Sequence, residues 1–534
     1  MKKRLPHCSL PTVAAVVAAI SLSCGQSVLA EDKGSNDAAA DEKHRAEIAR
    51  FLTGPIQRLE LEIKDVDLEA LRKEPRRYVE ASIRSGGKLY RGMAVKLKGA
   101  EGSFQPIDAK PCFTINSDKY KGGERFHGLK KFHLNNARED PSFLRQMLTG
   151  EMAQAAGVPA QRCTHAIVTM NGRELGLYVL AEGYTKDFLS EFFADPKGDL
   201  YEGGFCKDID DGLTKDEGDP KDFKAIDQLL AACREENATK RWPALKAVLD
   251  TDRFASFLAF EALVGVGDGY DFFRNNYRIY HDPKTRLLSF ILHGMDQPLG
   301  DAGFPIERTP ESIVGRAFVG CPQGRQLYRQ RVGELYQKLW AKRDWPSRID
   351  AAARKVRAEL DSHRAKELAE PMEQLRQMVI DRKIGIAEQL ARFPIPPEFG
   401  PDGAARLTKG WAPKQEGDAH LERSKVQGQD CLRVIAEGQA QASWRTSIRL
   451  DAGRYRFDAR VKTIGVRDGD GVGLRISGRD PAGEWLAGDS DWKTIHYEFE
   501  VPDEGGEVVL VAELRARQGE ALFAADSMRL VKAN

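Results

Sequence analysis

The sequence predicts an α+β body followed by an all-β sandwich, and three observations carry that prediction. From Ile56 to Leu180, short runs of alternating apolar and polar residues are broken by Gly-Gly and Asn-Gly turns around one well-marked helix. From there to about Arg392 the apolar spacing is mostly helical. Beyond Pro394-Ile-Pro-Pro-Glu-Phe-Gly-Pro401, whose prolines cannot continue a helix, only short strands and turns follow. At 534 residues the chain exceeds one ordinary hydrophobic core, so more than one domain is expected.

The N-terminus reads as a targeting segment. Lys2, Lys3 and Arg4 form a basic start, Val13 to Leu22 an apolar stretch too short to span a bilayer comfortably, and Val28-Leu-Ala30 a small-residue cleavage site. Ser21-Leu22-Ser23-Cys24 lacks the aliphatic residue usual three positions before a lipidated cysteine. Soluble export after cleavage near Ala30 is therefore expected, with periplasmic, cell-envelope or extracellular destinations all open. No later segment looks transmembrane. Export permits disulfides, but Cys112, Cys163, Cys206, Cys233, Cys321 and Cys431 show no CxxC pairing or zinc-ligand spacing. Pairing and free buried thiols stay equally open. Lys+Arg 81 against Asp+Glu 80 gives a formal charge of +1, so no global field recruits nucleic acid or an anionic membrane.

The remaining elements follow in order. Residues 31–50 are polar, charged and small, as in a solvated linker grading into a helix, and residues 51–393 are expected to form the main domain. Ile56-Gln-Arg-Leu-Glu-Leu-Glu-Ile, Tyr78 to Ile83 and Met93-Ala-Val-Lys-Leu-Lys98 read as strands, with a turn at Gly86-Gly87. Lys98-Gly-Ala-Glu-Gly-Ser-Phe104 is a glycine-bearing turn, followed by strands at Lys110 to Ile115 and Lys131 to Leu134. A helix is expected with Asp140 as N-cap, Pro141 at its first position and Gly157 closing it. Asn171-Gly172 marks a hairpin. Asp208 to Asp219 resembles a calcium loop only weakly, and a solvated loop is expected. Residues 394–403 are expected as a Pro-rich linker and 404–534 as the sandwich.

The stretch Gly267 to Gly300 carries the chemistry. Asp250 opens a helix that ends near Gly265, which leaves Asp268 in a loop. Tyr277 to Tyr280 and Leu287 to Leu292 read as strands joined by the turn His281-Asp-Pro-Lys-Thr285. Folded antiparallel, they bring Asn275, Asn276 and Asp296 to the mouth that Asp268 faces. A carboxylate to orient a hydroxyl, with an Asn and an Asp to hold magnesium, is what phosphoryl transfer asks of a protein. The same residues also suit turns and caps, and spacing alone leaves both readings open.

The main body resembles the spore-coat protein H (CotH) kinase family, secreted or envelope-associated proteins with an atypical protein-kinase-like fold. Four motifs in order carry the resemblance: Tyr90 to Gly99; Phe126 to Asn136 with Asp140 and Leu144-Arg145; Gly157-Val-Pro-Ala with Asn171-Gly172 and Gly176 to Glu182; and Asp268 to Asp296. The resemblance implies an ATP- and Mg2+- (or Mn2+-) dependent transfer to Ser or Thr of an exported protein, Ser/Thr-rich by expectation. It implies Asp268 as the residue orienting the hydroxyl and Asn276 and Asp296 as metal ligands. Lys110 is the expected phosphate-pairing lysine, with Lys98 in reserve, and Glu182 is placed near the nucleotide. Two residues depart from the family pattern. His293-Gly-Met stands where a Pro-Trp-like approach to Asp296 is usual, and Gln146 stands where Glu is frequent.

The C-terminal region resembles jelly-roll carbohydrate-binding-like modules. Trp444, Tyr455, Trp485 and Trp492 are candidates for a sugar-stacking platform, but core packing explains them at least as well and is the preferred reading. A non-enzymatic envelope or matrix scaffold that keeps the fold and a glycan-binding module is the rival reading of the whole chain.

Overall fold

The architecture is that of a computed structural model describing residues 31–100, 102–120, 125–307, 309–392, 397, 399–408, 410–479, 483–502 and 506–533. The signal segment and cleavage site expected over 1–30 lie outside the described residues, as does most of the Pro-rich stretch. Residues 31–50, expected as a linker, belong to the helix α1, Glu31–Thr53.

Seven strands close into a barrel: β1 (Gln57–Ile63), β2 (Val79–Ser85), β3 (Lys88–Lys98), β4 (Cys112–Asn116), β5 (Lys131–Asn135), β6 (Cys163–Met170) and β7 (Arg173–Glu182). The order is β1-β2-β3-β4-β5-β7-β6, and a parallel β6–β1 ladder closes it. Strand periodicity explains the result. On β3, β4 and β5 the residues Val95, Leu97, Phe113, Ile115, Phe132 and Leu134 fill the interior. The alternating set Lys96, Lys98, Cys112, Thr114, Lys131, His133 and Asn135 points to the other face. Helix α2, Asp65–Lys73, was not legible in the sequence, although it buries Leu71.

The turns at Gly86-Gly87 and Asn171-Gly172 carry positive φ at both positions, as two-residue hairpins require. The helix expected from Asp140 starts later, as α3, Arg145–Ala156. Asp140 instead accepts from Ser142 N, Ser142 Oγ and Arg145 N, and Phe143, at φ 58°, cannot be helical. Gly157 closes α3 at φ 82°.

After the barrel the chain builds a four-stranded sheet in the order β11-β10-β8-β9: β8 (Asp199–Glu202), β9 (Thr214–Glu217), β10 (Tyr277–His281) and β11 (Leu288–Leu292). The tail of the expected acidic loop is thus a strand, β9. The helices around this sheet share its core, including Thr251–Val264, Pro322–Leu335 and Ala369–Arg392. From Ala404 to Ala533 a β-rich region packs around its own core. Its strand Gln429–Leu450 changes partner midway, pairing Gln518–Ala524 with its first half and Gly506–Ala516 with its second. The chain is therefore mixed α+β with a seven-stranded barrel and a C-terminal β-rich region. Among the described residues no helix is long and apolar enough to cross a membrane, and the six cysteines there are free.

Candidate functional site

The polar outer face of the barrel and the open end of the four-stranded sheet enclose a cavity of about 490 Å³. Each wall follows from a local rule. The helix Thr251–Val264 is capped by Asp250, whose carboxylate accepts from Arg253 N at 3.0 Å, and ends at Gly265 with φ 68°. Three residues on, Asp268 reaches the cavity. The one-turn helix Tyr270–Phe273, missed in the sequence, ends at Arg274 with φ 54°, and Asn276 also has φ 54°. β10 and β11 then pair with Tyr277 opposite Leu292, which returns the chain to the mouth. His293 N bonds Asn276 O at 3.0 Å, and Asp296 follows on the same side.

The structure brings Asp268, Asn276, Asp296 and Lys98 together in this cavity. Asn276 Nδ2 donates to Asp268 Oδ2 at 2.5 Å, whereas Asp268 Oδ1 is buried with no hydrogen-bond partner. Burial, with Asp296 nearby, pushes the Asp268 carboxyl up to about 6. Gly294 explains part of the departure at His293-Gly-Met. Its φ is 61°, and a Cβ there would stand 2.3 Å from Asn276 Oδ1, so only glycine lets the amide lie against this loop. His293 Nδ1 meets Tyr184 Oη at 3.0 Å, and burial holds the imidazole well below its ordinary range.

Lys98 ends β3 and donates to Asn135 Oδ1 at 2.9 Å, and Asn135 Nδ2 donates on to Gln146 Oε1 at 2.8 Å. Its ammonium thus faces an amide relay in place of a carboxylate, and burial lowers its pKa. Arg76 fastens the glycine-bearing turn beside it through Leu97 O at 3.0 Å and Gly99 O.

Lys110 and Glu182 do not line the cavity. β4 begins only at Cys112, so Lys110 precedes it and lies at the barrel end, over the rings of Phe143 and Tyr178 at 4.7 and 5.1 Å. Burial pushes it down to about 8. Glu182 is fully engaged by Arg162, whose Nε and Nη2 donate at 2.8 and 2.7 Å. Arg145 donates to Gln297 O at 2.9 Å and lies against Met378.

The sequence reading missed the far end of the cavity, where Lys96 and Lys131 meet Glu202, Asp216 and Arg278. The Arg278 guanidinium pairs Glu202 at 2.7 Å and Asp216, and lies 4.4 Å over Tyr184. The alternation Lys96-Leu97-Lys98 was the signal for Lys96, because it puts both lysines on one face. A single buried arginine also steadies both carboxylate loops. Arg382 donates to Ala262 O, Leu263 O, Ala302 O and Phe304 O at 2.7–3.0 Å, which ties the helix before Asp268 to the segment after Asp296. It has no solvent exposure.

The Asp296 carboxylate and the Asn276 amide oxygen, both lining the cavity, are oxygen donors of the kind a hard divalent cation takes. Among the described residues no three His, Cys, Asp or Glu side chains cluster to hold a metal by themselves. The Asn276 amide is thus an essential part of the candidate set.

In the C-terminal region Trp444 and Tyr455 are core residues, 3% and 2% exposed. Trp444 Nε1 donates to Arg433 O at 3.2 Å. Trp485 and Trp492 are half-buried under Arg515 and Arg460. The four aromatics therefore do not share one surface.

Fold and site together define a protein with one polar cleft between a β-barrel and a helix-and-sheet body, floored by carboxylates and walled by lysines. The chain belongs to the CotH family: the family model described as CotH kinase protein matches residues 98–383. It is 26% identical over 189 residues to Invasin CotH2 of Rhizopus delemar, covering 32% of this chain and 31% of that protein. It is 26% identical over 196 residues to the inner spore coat protein H of Bacillus subtilis, covering 33% of this chain and 51% of that protein. The match thus spans between about a third and half the length of these curated relatives. Solved structures with some likeness include the Clostridium thermocellum xylanase 10B CBM22-1–GH10 modules with xylohexaose, at 15% identity, 23% of this chain, 26% of that chain and TM-score 0.20. TmCBM61 with β-1,4-galactotriose is another, at 15% identity, 26% of this chain, 91% of that chain and TM-score 0.18. At such scores these likenesses carry no argument about this chain.

Proposed function

We propose that this chain is an exported, ATP- and Mg2+-dependent (or Mn2+-dependent) protein kinase of the CotH type, with an atypical kinase-like fold, acting on Ser or Thr of an extracytoplasmic protein. The observation that carries this reading is the pairing of Asp268 Oδ1, buried and unpartnered, with Lys98 in one cavity. Asp268 accepts the proton of the acceptor hydroxyl as its oxygen attacks the γ-phosphorus and the bond to the ADP oxygen breaks. Lys98, not Lys110, pairs the phosphates, because only Lys98 reaches the cavity. Asn276 and Asp296 hold the metal, which when bound offsets phosphate charge. Names of relatives such as a spore coat protein and an invasin support an exported or surface location.

The rival reading is a non-enzymatic envelope or matrix scaffold with a degenerate site and a glycan-binding β-rich region. One observation favours it: Gln146, where the family often carries Glu, leaves Lys98 without a carboxylate partner. Incubating the exported chain with labelled ATP, Mg2+ or Mn2+ and a Ser-rich protein separates the two. Transfer that is lost in Asp268→Ala and Asp296→Asn supports the kinase. No transfer, together with no nucleotide-dependent thermal shift, supports the scaffold.

A further inference from the structure

Three phenylalanines are exposed among the described residues, Phe205, Phe272 and Phe273, at 63%, 39% and 47%. All three belong to the segments that form the cavity mouth. Phe272 and Phe273 occupy the one-turn helix between Asp268 and Asn275, and Phe205 lines the cavity with Asn275. Exposed rings concentrated at one site call for a partner that covers them.

The rings are also held in place. The Glu261 carboxylate accepts Tyr270 N at 2.9 Å and Asp271 N at 3.1 Å, fixing the start of the short helix. Phe272 meets Phe273 edge-on at 5.0 Å and Phe304 at 6.2 Å. A Cβ on Gly203 would stand 2.4 Å from the Tyr277 ring, so only glycine lets the loop carrying Phe205 lie on it. Tyr277 Oη then donates to Lys207 O at 2.9 Å. The cations Lys96, Lys98 and Lys131 are part-buried and line the cavity, whereas Phe272 and Phe273 are exposed and follow Asp268 by four and five residues. A polyphosphate therefore suits the cavity lysines, which leaves the exposed rings next to Asp268 in the chain for the acceptor.

We propose that Phe205, Phe272 and Phe273 form an acceptor-docking surface that takes an apolar or aromatic side chain flanking the Ser or Thr of a protein substrate. The proposal rests on the phosphotransfer reading for its acceptor, but its first test needs no activity. Fluorescence anisotropy on the full chain compares a short peptide with an Ala in place of its acceptor and a Phe beside it against the same peptide with Asp in place of that Phe. The Phe peptide is expected to bind about tenfold more tightly, and Phe272→Ala/Phe273→Ala or Phe205→Ala to remove that preference. Both variants change exposed residues, and circular dichroism checks that they stay folded. In the Ser peptides, KM rises about tenfold in Phe272→Ala/Phe273→Ala while kcat and ATP affinity stay unchanged. Equal binding of the two peptides, or an effect of the variants on ATP affinity instead, overturns the surface. Absence of phosphotransfer with the peptide preference intact sinks the kinase reading and leaves the docking surface standing.

Discussion

In the C-terminal region Glu513 has no solvent exposure and receives Arg475 through two bonds at 2.6 and 2.9 Å and Arg515 at 2.9 Å. In the cavity Asp268 keeps one buried oxygen without a partner, and Lys98 faces only an amide. Both regions bury charge, but one neutralises it on the spot while the other leaves it poised. An ion pair closed on itself serves the fold, since removing either member strands the other. A carboxylate and an ammonium that are not closed on each other in one cleft are costly to the fold, which marks the cleft as the candidate functional site.

The largest expected effect breaks or upholds that contrast directly. Asp268→Ala and Lys98→Met each lower initial rates of phosphotransfer by about 10²–10⁴-fold, while Lys110→Met changes them only a few-fold. Equal losses for the two lysines would erase the distinction between them.

Next in size, Glu513→Ala leaves two arginines facing an emptied site and lowers stability by about 3–5 kcal/mol in denaturant unfolding. Lys98→Met changes stability by less than about 1 kcal/mol, because the relief of burying an ammonium offsets an unpaired amide oxygen. Arg382→Met strips a donor from four buried carbonyls and costs about 3 kcal/mol, read in the same unfolding experiment.

The smallest effect depends on pH. The Asp268 pKa is raised from 3.8 to about 6, so the native state binds a proton that the unfolded state has released. Wild-type stability therefore falls as pH rises from about 4 to about 6, and that deficit persists above 6. Asp268→Asn should be more stable than wild type by about 1–2 kcal/mol at pH 7.5, a figure reduced for partial exposure, with the gain vanishing near pH 4. Thermal melts of both proteins across that range check it. Phosphotransfer by the wild type should rise with pH through about 6, as Asp268 becomes free to accept a proton.

Much of the site was legible in the chain because its parts are local. A capped helix, a loop, a two-stranded hairpin and a loop place Asp268, Asn276 and Asp296 within one short segment, and hairpin register does the rest. The lysine was less accessible. Lys110 and Lys98 both sit beside a glycine-bearing turn, and which one enters the cavity depends on where β4 starts, at Cys112. Strand ends are the least determinate feature of a pattern with period two. The start of α3 was misplaced for a related reason: Asp140 caps a turn with the same side-chain bonds that would cap a helix.

By itself the sequence determined which residues alternate, which turns reverse the chain and which three polar side chains share the hairpin mouth, because these follow from dihedral preference and spacing over a few residues. Only the tertiary structure decided the rest. The parallel closure of β6 on β1 forms the barrel whose outer face becomes the cavity wall. Arg382 joins two loops about 120 residues upstream and 80 residues upstream of itself. Glu182 goes to Arg162, and Trp444 and Tyr455 go to the core. Those outcomes depend on which surfaces bury each other and which buried donors find acceptors, and residues distant in the chain meet only once the whole fold has closed.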